Sequence, residues 1–120
     1  MPGAAPRSRA LPPSLRAHAR RYTGLLAASR GDPVAGADQL DAAISTLSEL
    51  GYRYEMACAL LERGEILLGT DRGEEGITAM READHVFAEL GAKPMHERAQ
   101  QALAARAEPG EGRVASAASG

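Results

Sequence analysis

The chain repeats itself at an offset of 40 residues. Gly24, Gly36, Leu40, Ala43, Leu47, Leu50 and Gly51 recur as Gly64, Gly76, Met80, Ala83, Phe87, Leu90 and Gly91. A fixed period of this size belongs to stacked supersecondary units, each burying its apolar face on its neighbours. A single globular core has no reason to repeat. Stacks of this kind are usually binding scaffolds, so the pattern says more about architecture than about ligand.

The spacing inside each copy is helical. Leu40, Ala43, Ile44, Leu47 and Leu50 recur every three or four residues, as do Ile77, Met80, Ala83, Phe87 and Leu90. Punctuation predicts five helices. The first runs from about Ser14 to Ser29 and stops at Arg30-Gly31, where glycine can turn left-handed. Asp32-Pro33 supplies an N-cap and a first-turn proline for the second, which runs to about Leu50 and closes at Gly51. The third spans about Tyr54 to Leu68, with Ala57, Leu60, Leu61, Gly64 and Leu67/Leu68 inward. Asp71 and Glu74 resemble a capping box for the fourth, about Glu74 to Leu90, closed by Gly91. Pro94 opens the fifth, about Pro94 to Arg106, with Met95, Ala99, Ala102 and Leu103 apolar. Residues 1–13 carry Pro2, Pro6, Pro12 and Pro13 and read as a disordered lead. Residues 108–120 read as a disordered, frayed tail.

The core must be shallow. Leu, Ile, Val and Phe total 20 of 120 residues, with no Trp and one Phe, Phe87. That is near the level at which a chain fails to fold. Periodicity and alanine argue for order, because alanine is the best helix former and lets helices approach closely. Packing is therefore expected to be helix on helix with small residues at the contacts.

The net charge of −2 hides a segregation. Residues 1–30 carry six arginines and no acid, while residues 31–120 carry eight basic and sixteen acidic residues. A basic start can mean nucleic acid or an acidic partner. No aromatics are interleaved and no recognition motif is present, so nucleic acid is disfavoured for this chain alone. Cys58 is the only cysteine, so no intrachain disulfide forms and a reducing cytoplasm fits. No apolar run approaches a membrane span, and no apolar signal-peptide core is seen. Lys93 stands alone against thirteen arginines, a bias that suggests a GC-rich bacterial genome.

Enzyme signatures are not found. No phosphate-binding loop with its lysine occurs, and the glycines of Gly31–Gly36 read as caps and contacts. No metal-ligand spacing occurs, and His18, His85 and His96 fall on three predicted helices. Cys58 shows no neighbouring base in sequence and reads as a small semi-buried residue. Glu62, Glu65, Glu74, Glu75 and Glu82 are spaced like a solvated face, with Arg63, Arg72 and Arg81 as local partners. The expectation is a non-enzyme with no cofactor.

The small residues Gly24, Gly36, Ala43 and Gly64, Gly76, Ala83 resemble the pattern of a tetratricopeptide repeat. There, small residues mark where paired antiparallel helices cross. The period of 40 exceeds that family's usual repeat of about 34 residues. The aromatic near the start of the first helix is replaced by Arg20 and Leu60, and Gly51 and Gly91 stand where many repeats end in proline. The stretches RGEILLGTDRGEEGITAMREADHVFAELGAKP and ERAQQALAA are similar to the C-terminal repeat region of MalT-like LuxR-type transcription factors. They also resemble the repeats behind the ATPase module of some actinobacterial cyclase-like proteins.

The resemblance covers roughly residues 14–107. It implies an all-α short right-handed solenoid of antiparallel hairpins. It also implies a protein or peptide ligand held in a groove formed by the first helices of successive pairs. By that resemblance His18, Arg21, Leu25, Ala28, Cys58, Leu61, Glu65 and Leu68 face the groove. Arg21 would meet an acidic group, and Leu25, Leu61 and Leu68 would bury apolar ones. The alternative is a fragment of such a regulator that serves only in oligomerisation or signal relay. Five helices make two and a half repeats, so a homo-oligomer is an expected outcome.

Overall fold

A computed structural model describes residues 11–118, and the side chains of residues 11–105. Among the described residues five α-helices follow one another: α1 (Pro13–Ser29), α2 (Pro33–Leu50), α3 (Arg53–Leu67), α4 (Gly73–Leu90) and α5 (Lys93–Ala118). No strand occurs among the described residues. The fold is all-α. The helix ends fall within one residue of those predicted, apart from the end of α5. That helix runs past Arg106 to Ala118, through the segment expected to fray. The expected lead lies, for residues 1–10, outside the described residues.

Short turns make each pair of neighbours antiparallel. α1 packs on α2 and α3 on α4 as hairpins, then α3 lies against α2 and α5 against α4. Three helices end alike. The glycines Gly31, Gly51 and Gly91 take positive φ of 93°, 79° and 69°. After α2 the Tyr52 N–H donates to Leu47 O at 3.0 Å and the Gly51 N–H to Ser48 O at 3.1 Å. After α4, Ala92 and Gly91 do the same to Phe87 and Ala88. This paired bonding satisfies carbonyls that the helix leaves open.

The helix starts differ. Asp32 Oδ1 accepts from the Ala35 N–H at 3.2 Å, as predicted. The expected Asp71–Glu74 capping box does not form. The helix starts at Gly73 with Arg72 at the N-cap and no side-chain cap bond, while in the preceding turn Thr70 Oγ1 accepts from the Arg72 N–H at 3.0 Å and donates to Leu67 O at 2.7 Å. Asp71 stands one residue before the N-cap position and so lies outside the geometry a cap needs.

The hairpins close on glycine. A Cβ at Gly24 would lie 2.7 Å from Gly36 O, and one at Gly36 would lie 2.7 Å from Gly24 O. A Cβ at Gly64 would lie 2.6 Å from Gly76 O and collide with Met80. Around these crossings Leu40, Leu47, Leu61, Leu67, Met80 and Phe87 are fully buried. One cluster, with Ala17, Leu40, Ala43, Leu47 and Ala59, joins the first hairpin to α3. A second, around Leu61, Met80, Phe87 and Ala99, joins the second hairpin to α5. Leu50 and Leu90, predicted on the apolar faces, are 38% and 42% exposed. Each is the last residue of its helix, where the face runs past its neighbour.

Gly64→Ala is expected to lower stability by about 1–3 kcal/mol, because carbonyl and Met80 must both move. Gly69→Ala is the control, since its Cβ would meet only Ile66 O at an ordinary 3.8 Å. Thermal melts of both variants against the parent chain check the contrast.

Candidate functional site

The expected groove positions lie on α1, on α3 and just after α3. His18, Arg21, Leu25 and Ala28 are half-buried, as are Glu65 and Leu68. Leu61 is not available to a ligand. It has no exposed surface and sits in the core with Met80 and Phe87. Its helix is rotated so that this position points into the second hairpin rather than across it. Cys58 is buried as well, at 9% exposure.

Arg21 is already engaged. Its Nε and Nη2 donate to Glu62 Oε1 and Oε2, each at 2.6 Å. The arginine and glutamate side chains are 22% and 12% exposed, so the pair is largely withdrawn from solvent. Such bidentate geometry is the strongest form of this contact. The Glu62 hydrogen bond raises the Arg21 pKa above its ordinary value. Arg21 therefore joins α1 to α3 rather than waiting for an acidic ligand. Glu65 is likewise bonded, accepting from Arg98 Nη2 at 3.0 Å and so joining α3 to α5.

The thiol between these groups is quiet. Burial pushes the Cys58 pKa up, and the opposing pull of Arg21 and Tyr54 is the smaller effect. Tyr54 is raised too, chiefly by Cys58. Its ring meets Phe87 edge to face, with centroids 5.7 Å apart. A neutral, buried thiol is a poor nucleophile.

Other polar groups pair across the same junctions. Arg63 Nε lies 2.6 Å from Asp41 Oδ1, linking α3 to α2. His96 Nδ1 lies 2.5 Å from Asp84 Oδ1, linking α5 to α4. Arg53 bonds Glu89 within the second hairpin. Of the expected local pairs, Arg72 does meet Glu75 at 2.9 Å, while Glu62 and Glu65 reach other helices instead. His85 pairs with Glu89. Among the described residues no cluster of three or more His, Cys, Asp or Glu is placed to hold a metal. None of the described helices is long and apolar enough to cross a membrane.

A hollow of about 230 Å³ opens at the turn between α4 and α5, lined by Phe87, Ala88, Gly91, Ala92, Lys93 and His96. Sequence reasoning did not find it, although the repeat carries the signal. Ala92 and His96 occupy the register of Tyr52 and Met56. Alanine thus stands at this turn where the equivalent turn carries a tyrosine.

No family model, curated protein or solved structure matches the chain.

Two outcomes follow from the Arg21–Cys58–Glu62 cluster. A double-mutant cycle of Arg21→Ala and Glu62→Ala, read by denaturant unfolding, is expected to give a coupling of about 1–2 kcal/mol. The raised thiol and phenol pKa values mean that the folded state holds these protons more tightly than the unfolded chain. The stability tied to them is present below the unfolded thiol's pKa of about 8.5 and lost as pH rises through the folded value. The melting temperature should fall on the alkaline side, and Cys58→Ala should flatten that fall.

Proposed function

We propose that the chain is a non-catalytic protein-binding module. It is a short tetratricopeptide-like scaffold, part of or derived from a cytoplasmic bacterial regulator of transcription or signalling. The observation that carries this reading is the side-by-side arrangement of α1, α3 and α5. The pairs Arg21–Glu62 and Glu65–Arg98 tie them together in that order. Half-exposed His18, Leu25, Ala28 and Leu68 lie on these first helices and the turn after α3. A peptide or helix laid across them would meet apolar side chains with the local charges already paired. The resemblance to the repeat regions of LuxR-type regulators supports the regulatory setting.

A relay or oligomerisation role is the second reading. It is favoured by exposed apolar residues on α1, where Leu15 and Tyr22 are 49% and 68% exposed.

The groove is tested with Leu25→Asp combined with Leu68→Asp, both at half-buried positions. Cross-linking the parent chain in bacterial extract should capture a defined protein that the double variant loses. Circular dichroism should show unchanged helicity. Equal capture by a folded double variant would remove the groove from the proposal.

A further inference from the structure

The two filled junctions of the stack share one register. Ala59 of α3 and Ala99 of α5 stand 40 residues apart, and both are fully buried. Ala59 is buried in the cluster that holds Leu40 and Leu47 of α2. Ala99 is buried in the cluster that holds Met80, Ala83 and Phe87 of α4. In each case the first helix of a unit lays this alanine on the preceding hairpin. The equivalent residue of α1 is Ala19, and it is exposed.

Its neighbours on the same face are apolar. Leu15, Ala19, Tyr22 and Leu26 follow the helical spacing of four, three and four residues. Leu15, Tyr22 and Leu26 are 49%, 68% and 50% exposed. Leu15 holds the register of Met95, which packs against α4 and its surroundings. Gly24 and Ala17, on the opposite side of α1, face the hairpin core. So, among the described residues, the face of α1 that is equivalent to two covered faces is itself uncovered and apolar.

Charge describes what covers it. In both filled junctions an aspartate of the preceding helix faces a basic side chain of the helix that follows: Asp41 faces Arg63, and Asp84 faces His96. Arg16 of α1 stands in the register of His96. Among the described residues its Nη1 donates to the nearby Leu11 carbonyl. Arg20, one turn on, donates to Gln39 of α2, and α1 carries no acidic residue. Two copies of α1 laid together would oppose arginine to arginine, which disfavours a second copy as the occupant.

We propose that the Leu15–Ala19–Tyr22–Leu26 face of α1 is a docking site for an acidic amphipathic helix of another protein. That helix lays an apolar stripe on the leucines and a carboxylate against Arg16. The inference rests on the reading of the chain as a binding scaffold, but on its end face and not on its groove.

The probe is a helix-stapled peptide of residues 73–90. This segment sets five carboxylates against one arginine and already fulfils the same role toward α5. Fluorescence polarisation on the full chain should show saturable binding. Leu15→Asp with Leu26→Asp should weaken it by at least about tenfold. Arg16→Glu should weaken it several-fold and reduce its salt dependence. Leu25→Asp, which addresses the groove, should leave it unchanged, so loss of the groove reading and loss of this one are separable. The proposal is overturned by no saturation up to about 1 mM peptide, or by binding that the Leu15/Leu26 variant retains. It is equally overturned if the chain sediments as a dimer that this variant dissolves, because a second copy then covers the face.

Discussion

The fold depends on two backbone contacts. In each hairpin a carbonyl of one helix lies where the other helix would carry a Cβ, and the relation is reciprocal between Gly24 and Gly36 and between Gly64 and Gly76. Close crossing is what makes so lean a core sufficient. With helices this near, alanines such as Ala17, Ala37, Ala43, Ala57, Ala79 and Ala83 become nearly or wholly buried contacts, and few large side chains are needed to fill what remains. Leu40 and Met80, each four residues after a crossing glycine, fill the space beside it. A larger residue at any of the four glycines would part the helices and uncover several alanines together.

Between hairpins the contacts are of another kind. α3 carries Glu62 and Glu65, which reach in opposite directions along the stack, one to Arg21 of α1 and one to Arg98 of α5. A central anionic helix is thus held between two cationic ones. Aspartates on α2 and α4 add a second link at each junction. Pairs this exposed at Glu65–Arg98 contribute little to stability. Their effect is on order and register, since shifting α3 by one turn would unpair both edges.

What was legible in the sequence was whatever depends on neighbours in the chain. The caps at Asp32, Gly51 and Gly91 follow from local backbone chemistry, and the glycine crossings follow from a repeated pattern of small residues. Arg21–Glu62 was not legible, because its partners are 41 residues apart and nothing local links them. Leu61 failed for a related reason. Carrying groove positions over by resemblance sets the rotation of α3 in advance, whereas packing on Met80 and Phe87 decides it. Asp71 missed the cap because the helix starts one residue later, at Gly73, and no residue type alone specifies that start.

The same register that explains the junctions makes the two ends of the stack unlike. In α3 the face turned to its hairpin partner is Leu60, Leu61 and Gly64, all buried. Forty residues on, α5 carries Gln100, Gln101 and Ala104, all exposed. The glycine that permits close crossing is gone, and the leucines that filled the crossing are amides. α5 therefore presents to solvent a face that tolerates water, with Gln100 Nε2 donating back to Asp84 at 2.6 Å. α1 does the reverse: its outward face keeps Leu15, Tyr22 and Leu26 where the repeat elsewhere meets a neighbour. Among the described residues the α5 end of the stack is polar and the α1 end apolar, so the stack has a direction, with apolar surface left exposed at α1.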